Sequence, residues 1–261
     1  MSGPANTSAH LIQRVEASLM HKTELDFAAA SGRFPGTEVR HLEDVTATAL
    51  SELAHLVPYN KARPFRLEHR HLLDDLLAFY TGRGLRPAIE VRSPDAGDEL
   101  HELLRAADLA PMPPTVALHV RPDQVNVPAA VLVEEVGSDD DRYLDTLFRG
   151  YGIGADETAF RDMLSIEHSA AGFRRYLAFV DGQPAAAAGL FAHDGTGILA
   201  GAATVPRFRR HGYQTALIAR RLRDAATSCD LAVVTAALDS PSHANLTRLG
   251  CQLTHTRTVW R

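Results

Sequence analysis

The sequence predicts an α/β (α+β) protein with a mixed, largely antiparallel sheet flanked by helices. Three observations point there. Stretches with apolar residues at helical spacing alternate with short apolar runs along the chain. The dipeptides Asp181-Gly182 and Asp194-Gly195 each separate two apolar runs, the strongest short signal for a hairpin and so for antiparallel pairing. The 261 residues, 45% hydrophobic and 23% charged, suffice for one large domain or two small ones with a sizeable core.

Taken in order, the first ten residues read as disordered. Leu11 to Ala30 reads as a helix ended near Gly32 and Pro35, and Glu43 to Val57 as a second helix ended by Pro58. The basic stretch PYNKARPFRLEHRH follows as irregular chain. Leu72 to Thr81 is helical and stops at Gly82 and Gly84. Ala88 to Val91 is a strand, Asp98 to Ala107 a helix and Thr115 to Val120 a strand. Arg121 to Pro128 is a connector. Beyond it, Ala130 to Val136 is a strand; Asp139 to Arg149 and Thr158 to Ser165 are helices around the glycine-rich turn GYGIG. Three antiparallel strands follow, turned at the two Asp-Gly pairs. Gln214 to Thr227 is a helix, Leu231 to Thr235 a strand, Ser242 to Leu249 a helix and Gln252 to Val259 a strand.

A short internal similarity relates Leu76–Val120 to Leu217–Trp260, each running helix, strand, Ser-Pro turn, helix, strand. It sets Leu103 on Leu246, Arg105 on Arg248 and His69 on Gly212. The expected organisation is therefore residues 1–125 as a degenerate copy or an accessory domain, and 129–261 as the working domain.

Net charge is −5, which excludes a generally nucleic-acid-coating protein but leaves local basic patches open. The two cysteines, Cys229 and Cys251, make neither a disulfide framework nor a zinc cluster, and the 13 histidines are scattered, so no metal site is expected. A reducing, cytoplasmic setting is the expectation; no signal peptide or membrane span is read.

The stretch VPRFRRHGYQTALIARRLRDA concentrates the chemistry. The first turn of a helix offers unpaired N–H groups and a partial positive charge, a ready phosphate site. Gly212 stands just before that turn, where a residue without Cβ permits positive φ and close approach. Ile218, Leu222 and Ala225 give the helix an apolar stripe that fixes its start. Arg209 and Arg210 can add charge-assisted hydrogen bonds to a diphosphate. The stretch is neither a Walker loop nor a dinucleotide fingerprint, and on spacing alone a solvated basic turn is the competing explanation.

Its context decides between them. The loop follows an antiparallel meander, and Arg209-Arg210-His211-Gly212-Tyr213-Gln214 resembles the phosphate loop of the GNAT superfamily of N-acetyltransferases, Arg/Gln-x-x-Gly-x-Gly/Ala, departing from it at Gln214. LDSPSHANLTRLGC resembles the family's last cofactor-side helix, with Asn245 at its asparagine. The resemblance implies a GNAT-like sheet and acetyl-CoA, or another acyl-CoA, as co-substrate. Its diphosphate would lie on Arg209, Arg210, His211, Gly212, Tyr213, Gln214 and Thr215. Its pantetheine arm would pair with Ala203-Thr204-Val205, where a backbone N–H would polarise the thioester carbonyl. It further implies an amine of a small molecule as acceptor.

The amine must lose a proton and the departing thiolate must gain one or meet a positive field. The tyrosine that many family members carry four residues before the glycine of the last helix is Leu246 here. Candidates for acid or base are His243 at the start of that helix, Glu134 or Glu135, of which strand alternation turns one inward, and Glu167 beside His168. Capping, surface pairing and turn chemistry are the alternatives at each; turn chemistry also accounts for Asp194 beside His193. Two other classes stay open: a sensor that binds acyl-CoA without turnover, and a transferase whose donor is aminoacyl-tRNA or an acyl carrier protein, held by Arg63, Arg66, His69, Arg70 and His71. A homodimer is an open expectation.

Overall fold

The computed structural model describes residues 4–125 and 131–261. The part of the connector at 126–128 and the first residue of the strand read from Ala130 lie outside them. The chain forms two compact units. A first-half unit joins Thr23–Ala117, Thr235–Ser240 and Leu253–Arg261; a second-half unit joins Met1–Lys22, Leu118–Val234 and Pro241–Gln252.

Helix α1 spans Pro4–Ala30, so the first ten residues are helical from Pro4 rather than disordered. A proline at the first helical position is pre-set for the helix and loses no bond there. Strands β1 (Thr37–Leu42) and β2 (Val45–Leu50) then make an antiparallel hairpin in which Leu42 faces Val45. This replaces the helix expected from Glu43 to Val57. VTATAL alternates β-branched residues, and all six of its residues are buried, so packing on both faces overrides the helix signal of the acidic pair Glu43-Asp44, which instead forms the turn. The basic stretch contains β3 (Lys61–Arg63) and a short 3-10 turn over Leu67–Leu72, leading into α2 (Leu73–Thr81). β4 (Ile89–Arg92), α3 (Asp98–Ala106) and β5 (Thr115–Val120) stand where the sequence predicts them.

In the first-half unit β1, β2, β3 and β4 lie side by side. The C-terminal strand β12 (Gln252–Trp260) joins antiparallel to β4, Trp260 opposite Ile89. Val45, Phe65, Leu76, Tyr80, Leu104 and Trp260 build its core. Where the internal similarity sets His69 against Gly212, His69 is 1% exposed and its Nε2 lies 2.7 Å from Asp44.

The second-half unit carries β6 (Val133–Val136), α4 (Asp141–Tyr151), α5 (Thr158–Glu167), β7 (Phe173–Val180) and β8 (Gln183–His193). Then come β9 (Thr196–Ile198), β10 (Ala202–Thr204), α6 (Tyr213–Ala225), β11 (Leu231–Ala237, in this unit as far as Val234) and α7 (Pro241–Arg248). Both Asp-Gly pairs turn hairpins with positive φ at each central residue, 48° and 74° at Asp181-Gly182 and 44° and 69° at Asp194-Gly195, the backbone that matches strand twist. Strand order is β11-β9-β8-β7-β6, with β11 parallel to β9 and the meander antiparallel. Four consecutive alanines, Ala185 to Ala188, are fully buried in β8, and their small side chains let α4 and α6 pack closely on it.

The third strand of the predicted meander is broken in two. β9 ends at Ile198, β10 begins at Ala202, and the N–H of Gly189 donates to both Ala200 O (2.9 Å) and Gly201 O (3.0 Å) at the break. β9 is flanked by β8 and β11. β10 pairs with β8 and, among the described residues, with no other strand. Its outer edge is therefore open.

Candidate functional site

The loop before α6 takes the conformation that an anion site needs. Arg210 has φ +67° and Gly212 φ +84°, with α6 starting at Tyr213. Left-handed residues in such a loop turn successive N–H groups toward one side. Gly212 is the N-cap and no side chain caps the helix, so the first-turn N–H groups stay available to a ligand. Ile218, Leu222 and Ala225 are buried and hold the helix start in place.

The open edge of β10 lies beside that loop. In an antiparallel pair, residues alternate between bonding their partner strand and facing away from it. Val205 N–H donates to Ala185 O and Gly201 O accepts from Gly189. The residues facing β8 are thus Gly201, Ala203 and Val205, and the polar groups of Ala202 and Thr204 face the open edge. Two side chains meet them. Ala202 N–H donates to the Tyr151 hydroxyl at 2.9 Å, and Thr204 O accepts from Arg209 Nε at 3.3 Å. Arg209 Nη2 also donates to Gly150 O at 3.1 Å, joining the loop to the end of α4. Gly150 is required there, since a Cβ would lie 2.6 Å from the Ala203 Cβ.

These elements enclose a cleft of about 880 Å³, lined entirely by the second-half unit. Of the residues predicted to hold a cofactor, Ala203, Thr204, Arg209, Arg210, Gly212, Tyr213, Gln214, Thr215 and Asn245 line it. Val205 and His211 do not; Val205 N–H is bonded within the sheet, and His211 Nδ1 lies 2.7 Å from Arg209 O. Arg248 lines the cleft from α7 and donates to Asn245 Oδ1, so three arginines and no carboxylate border it.

The predicted acid-base residues are not cleft residues. His243 is rotated off the face that Ser242 and Asn245 share at i, i+3 spacing. Glu134 and Glu135 are both exposed on β6, an edge strand, so alternation turns neither into a buried site. At Glu135, hydrogen bonds from Arg174 at 2.6 and 2.8 Å hold the carboxyl below its usual range. Glu167 ends α5, and its backbone carbonyl accepts from Lys22 Nζ at 2.9 Å. His168 is buried with Nδ1 2.7 Å from the Tyr143 hydroxyl, and burial pushes its pKa down to about 3, which keeps the ring neutral. Leu246 is 2% exposed in the core. Sequence reasoning missed Gly150, Tyr151, Ala202, Phe208, Pro241, Ser242 and Arg248, all cleft residues. Gly150 and Tyr151 lie in the glycine-rich turn GYGIG, Phe208 in the basic stretch before α6, and Pro241, Ser242 and Arg248 in LDSPSHANLTRLGC, but nothing in the sequence singled out Ala202.

Among the described residues no group of three or more His, Cys, Asp or Glu side chains is placed to hold a metal, and no helix is long and apolar enough to cross a membrane. The basic stretch of the first-half unit is internally paired: Arg66 with Asp44 and Glu68, Arg70 with Glu99, His71 with Glu43, and Arg63 with the Thr23 hydroxyl.

No protein-family model and no curated protein matches the sequence. Solved structures do match. A functionally unknown conserved protein from Staphylococcus epidermidis aligns over 88% of this chain and 96% of its own, at TM-score 0.65 and 11% identity. A GCN5-related N-acetyltransferase from Kribbella flavida aligns over 90% and 95%, at 0.61 and 18%. A tandem GNAT protein from the clavulanic acid biosynthesis pathway aligns over 90% and 86%, at 0.60 and 16%. Together with the broken strand, its open edge and the arginine-glycine loop before α6, these likenesses show that the chain has the fold of the GNAT N-acetyltransferases.

Proposed function

We propose that the protein transfers an acetyl or other acyl group from acyl-CoA to an amine of a small-molecule acceptor, by direct attack in a ternary complex. The observation that carries this is the cleft, where an uncapped helix start bordered by arginines adjoins an open strand edge. The residues fit the donor. The first-turn N–H groups of α6, with Arg210 and Arg248, suit the diphosphate. The edge-facing groups of Ala202 and Thr204 suit the amides of a pantetheine arm laid down as an added strand. An arm that starts at α6 and runs back along β10 passes Thr204 first, which sets the thioester at Ala202. The Ala202 N–H then polarises the thioester carbonyl, a donor of the kind typically worth about 3 kcal/mol. Acyl-CoA supplies the activated thioester; the protein aligns it and excludes water. Cys229 and Cys251 are free and buried, which fits a reducing, cytoplasmic setting.

Calorimetric titration with acetyl-CoA and free CoA, beside tRNA at two salt concentrations, tests the donor. Micromolar binding of both CoA compounds, followed by CoA release with members of an amine panel, is the expected result. Binding without turnover identifies a sensor. Salt-sensitive tRNA binding without CoA binding identifies a different donor.

A further inference from the structure

Two groups beside the strand break have no part in holding the donor. The first is Tyr151, the last residue of α4. It is 45% exposed and lines the cleft, and its hydroxyl oxygen takes the Ala202 N–H at 2.9 Å. That N–H is the edge group assigned to the thioester carbonyl. The phenol oxygen of the free protein therefore stands where a carbonyl oxygen would stand, and a bound donor must displace it. The sulfur is bonded to the same carbonyl carbon, so a hydroxyl displaced by one hydrogen-bond length comes to rest against it.

The second is Arg221 on α6, 2% exposed. Its Nε donates to Leu217 O at 3.1 Å, and its Nη1 to Gly189 O at 3.0 Å and Ala200 O at 3.4 Å. All these partners are neutral carbonyls. The groups whose charge would favour the guanidinium are Tyr143, Tyr151, Tyr176 and Cys251, with no carboxylate among them. Burial pushes its pKa down to about 10, so it remains a cation at neutral pH. A buried cation without a counter-charge is costly unless negative charge arises nearby. Arg221 and Tyr151 bracket the segment from Ala200 to Ala202, where the thiolate would depart.

No other cleft group competes for the acid's role. Tyr213 is 9% exposed and packed edge-on against Phe208, and His211 and His243 do not reach the cleft. Burial pushes the Tyr151 pKa up and outweighs the Ala202 N–H, which lowers it; Glu167 raises it further and Arg221 opposes, so the hydroxyl holds its proton before the step.

We infer that Tyr151 is the proton donor to the departing thiolate, and that Arg221 is the positioning residue that holds the strand break and stabilises the phenolate left behind. The amine nitrogen bonds to the carbonyl carbon, and the C–S bond breaks with its electron pair on sulfur. The Tyr151 proton moves to that sulfur, and the proton lost by the new amide nitrogen returns through solvent to the phenolate. The inference rests on acyl transfer from a thioester at this cleft.

Tyr151→Phe keeps the ring and removes the proton. Titration with acetyl-CoA and steady-state CoA release with an accepted amine are measured on the unaltered protein, Tyr151→Phe, Arg221→Lys and the double variant. In Tyr151→Phe the expected acetyl-CoA Kd is within about threefold of the unaltered protein or tighter, while kcat falls about 10²–10⁴-fold. Arg221→Lys lowers kcat where Tyr151 is present and adds little in the Tyr151→Phe background, a coupling that general loosening of the fold would not produce. An unchanged kcat in Tyr151→Phe, or Kd and kcat lost together, overturns the role and leaves acyl transfer standing. Absence of acetyl-CoA binding or of turnover in the unaltered protein overturns acyl transfer and this role with it. Tyr151→Phe alters an exposed residue, so the test stands even where Arg221→Lys fails to fold.

Discussion

Gly212 shows how one residue carries the loop. At φ +84° a side chain is strained, but a Cβ there would meet nothing within 4 Å. Gly212→Val therefore leaves the protein folded, at a backbone cost of about 1–2 kcal/mol, while a branched side chain stands over the α6 N–H groups. The expected outcome is a far-UV spectrum like that of the unaltered protein and a CoA Kd raised at least about tenfold, roughly 1.4 kcal/mol. Unchanged affinity by calorimetry would remove the loop from the site. Arg209→Ala weakens binding less. Its guanidinium is engaged with Thr204 O and Gly150 O in the free protein, and the backbone donors survive its loss.

At the scale of elements, the cleft depends on how closely α4 approaches β10. Gly150 sets that distance: a Cβ would fall 2.6 Å from the Ala203 Cβ and 3.1 Å from Thr204 N. Gly150→Ala forces the helix and strand apart. We expect a loss of about 1–3 kcal/mol in denaturant unfolding, as for overpacked cores, and weaker CoA binding because the β10 edge shifts away from the loop before α6. Unaltered stability and affinity would mean that α4 slides without consequence. The same proximity explains why a three-residue strand can serve as a docking edge. β8 holds one side of β10 and α4 packs against it, leaving Ala202 and Thr204 to face the cleft.

At the scale of the molecule, buried and paired carboxylates tie stability to pH. Glu90 is 1% exposed in the first-half unit. Burial opposes its ionisation, but the positive charges of Lys61, Arg257 and Arg63 outweigh burial and hold its pKa well below the usual glutamate range. Asp44, Glu135, Asp140 and Asp230 are shifted in the same direction by arginine partners. With folded values depressed, the unfolded chain takes up protons first as pH falls. The stabilisation is complete above about pH 4.3 and is lost progressively below it. Melting temperatures measured from pH 7 to pH 3 are expected to decline from about pH 6.5, where the unfolded chain protonates His168 while burial keeps the folded ring neutral, and to fall more steeply below about pH 4.3. A melting temperature that is flat or rising toward pH 3 would show that these pairings do not govern stability.

Local rules settle what the sequence alone determined. An Asp-Gly pair needs positive φ wherever it occurs, so both hairpins were readable from their dipeptides. An apolar stripe behind a glycine specified α6 and its open start without reference to the rest of the chain. The tertiary structure decided the remainder, because it depends on residues distant in sequence. VTATAL is a strand because both its faces are covered. The third meander strand breaks where Gly189 N–H bonds both Ala200 O and Gly201 O, with β11 on the edge of β9 and the edge of β10 left open. Glu134 and Glu135 are exposed because β6 is a sheet edge. Ala202 meets the Tyr151 hydroxyl across 51 residues, and no periodicity in either segment foretells a hydrogen bond made only when α4 packs on β10. The loop that would hold the donor's phosphates is a property of one short segment, and so it could be read; the groups that would carry out the chemistry are brought together by packing, and so they could not.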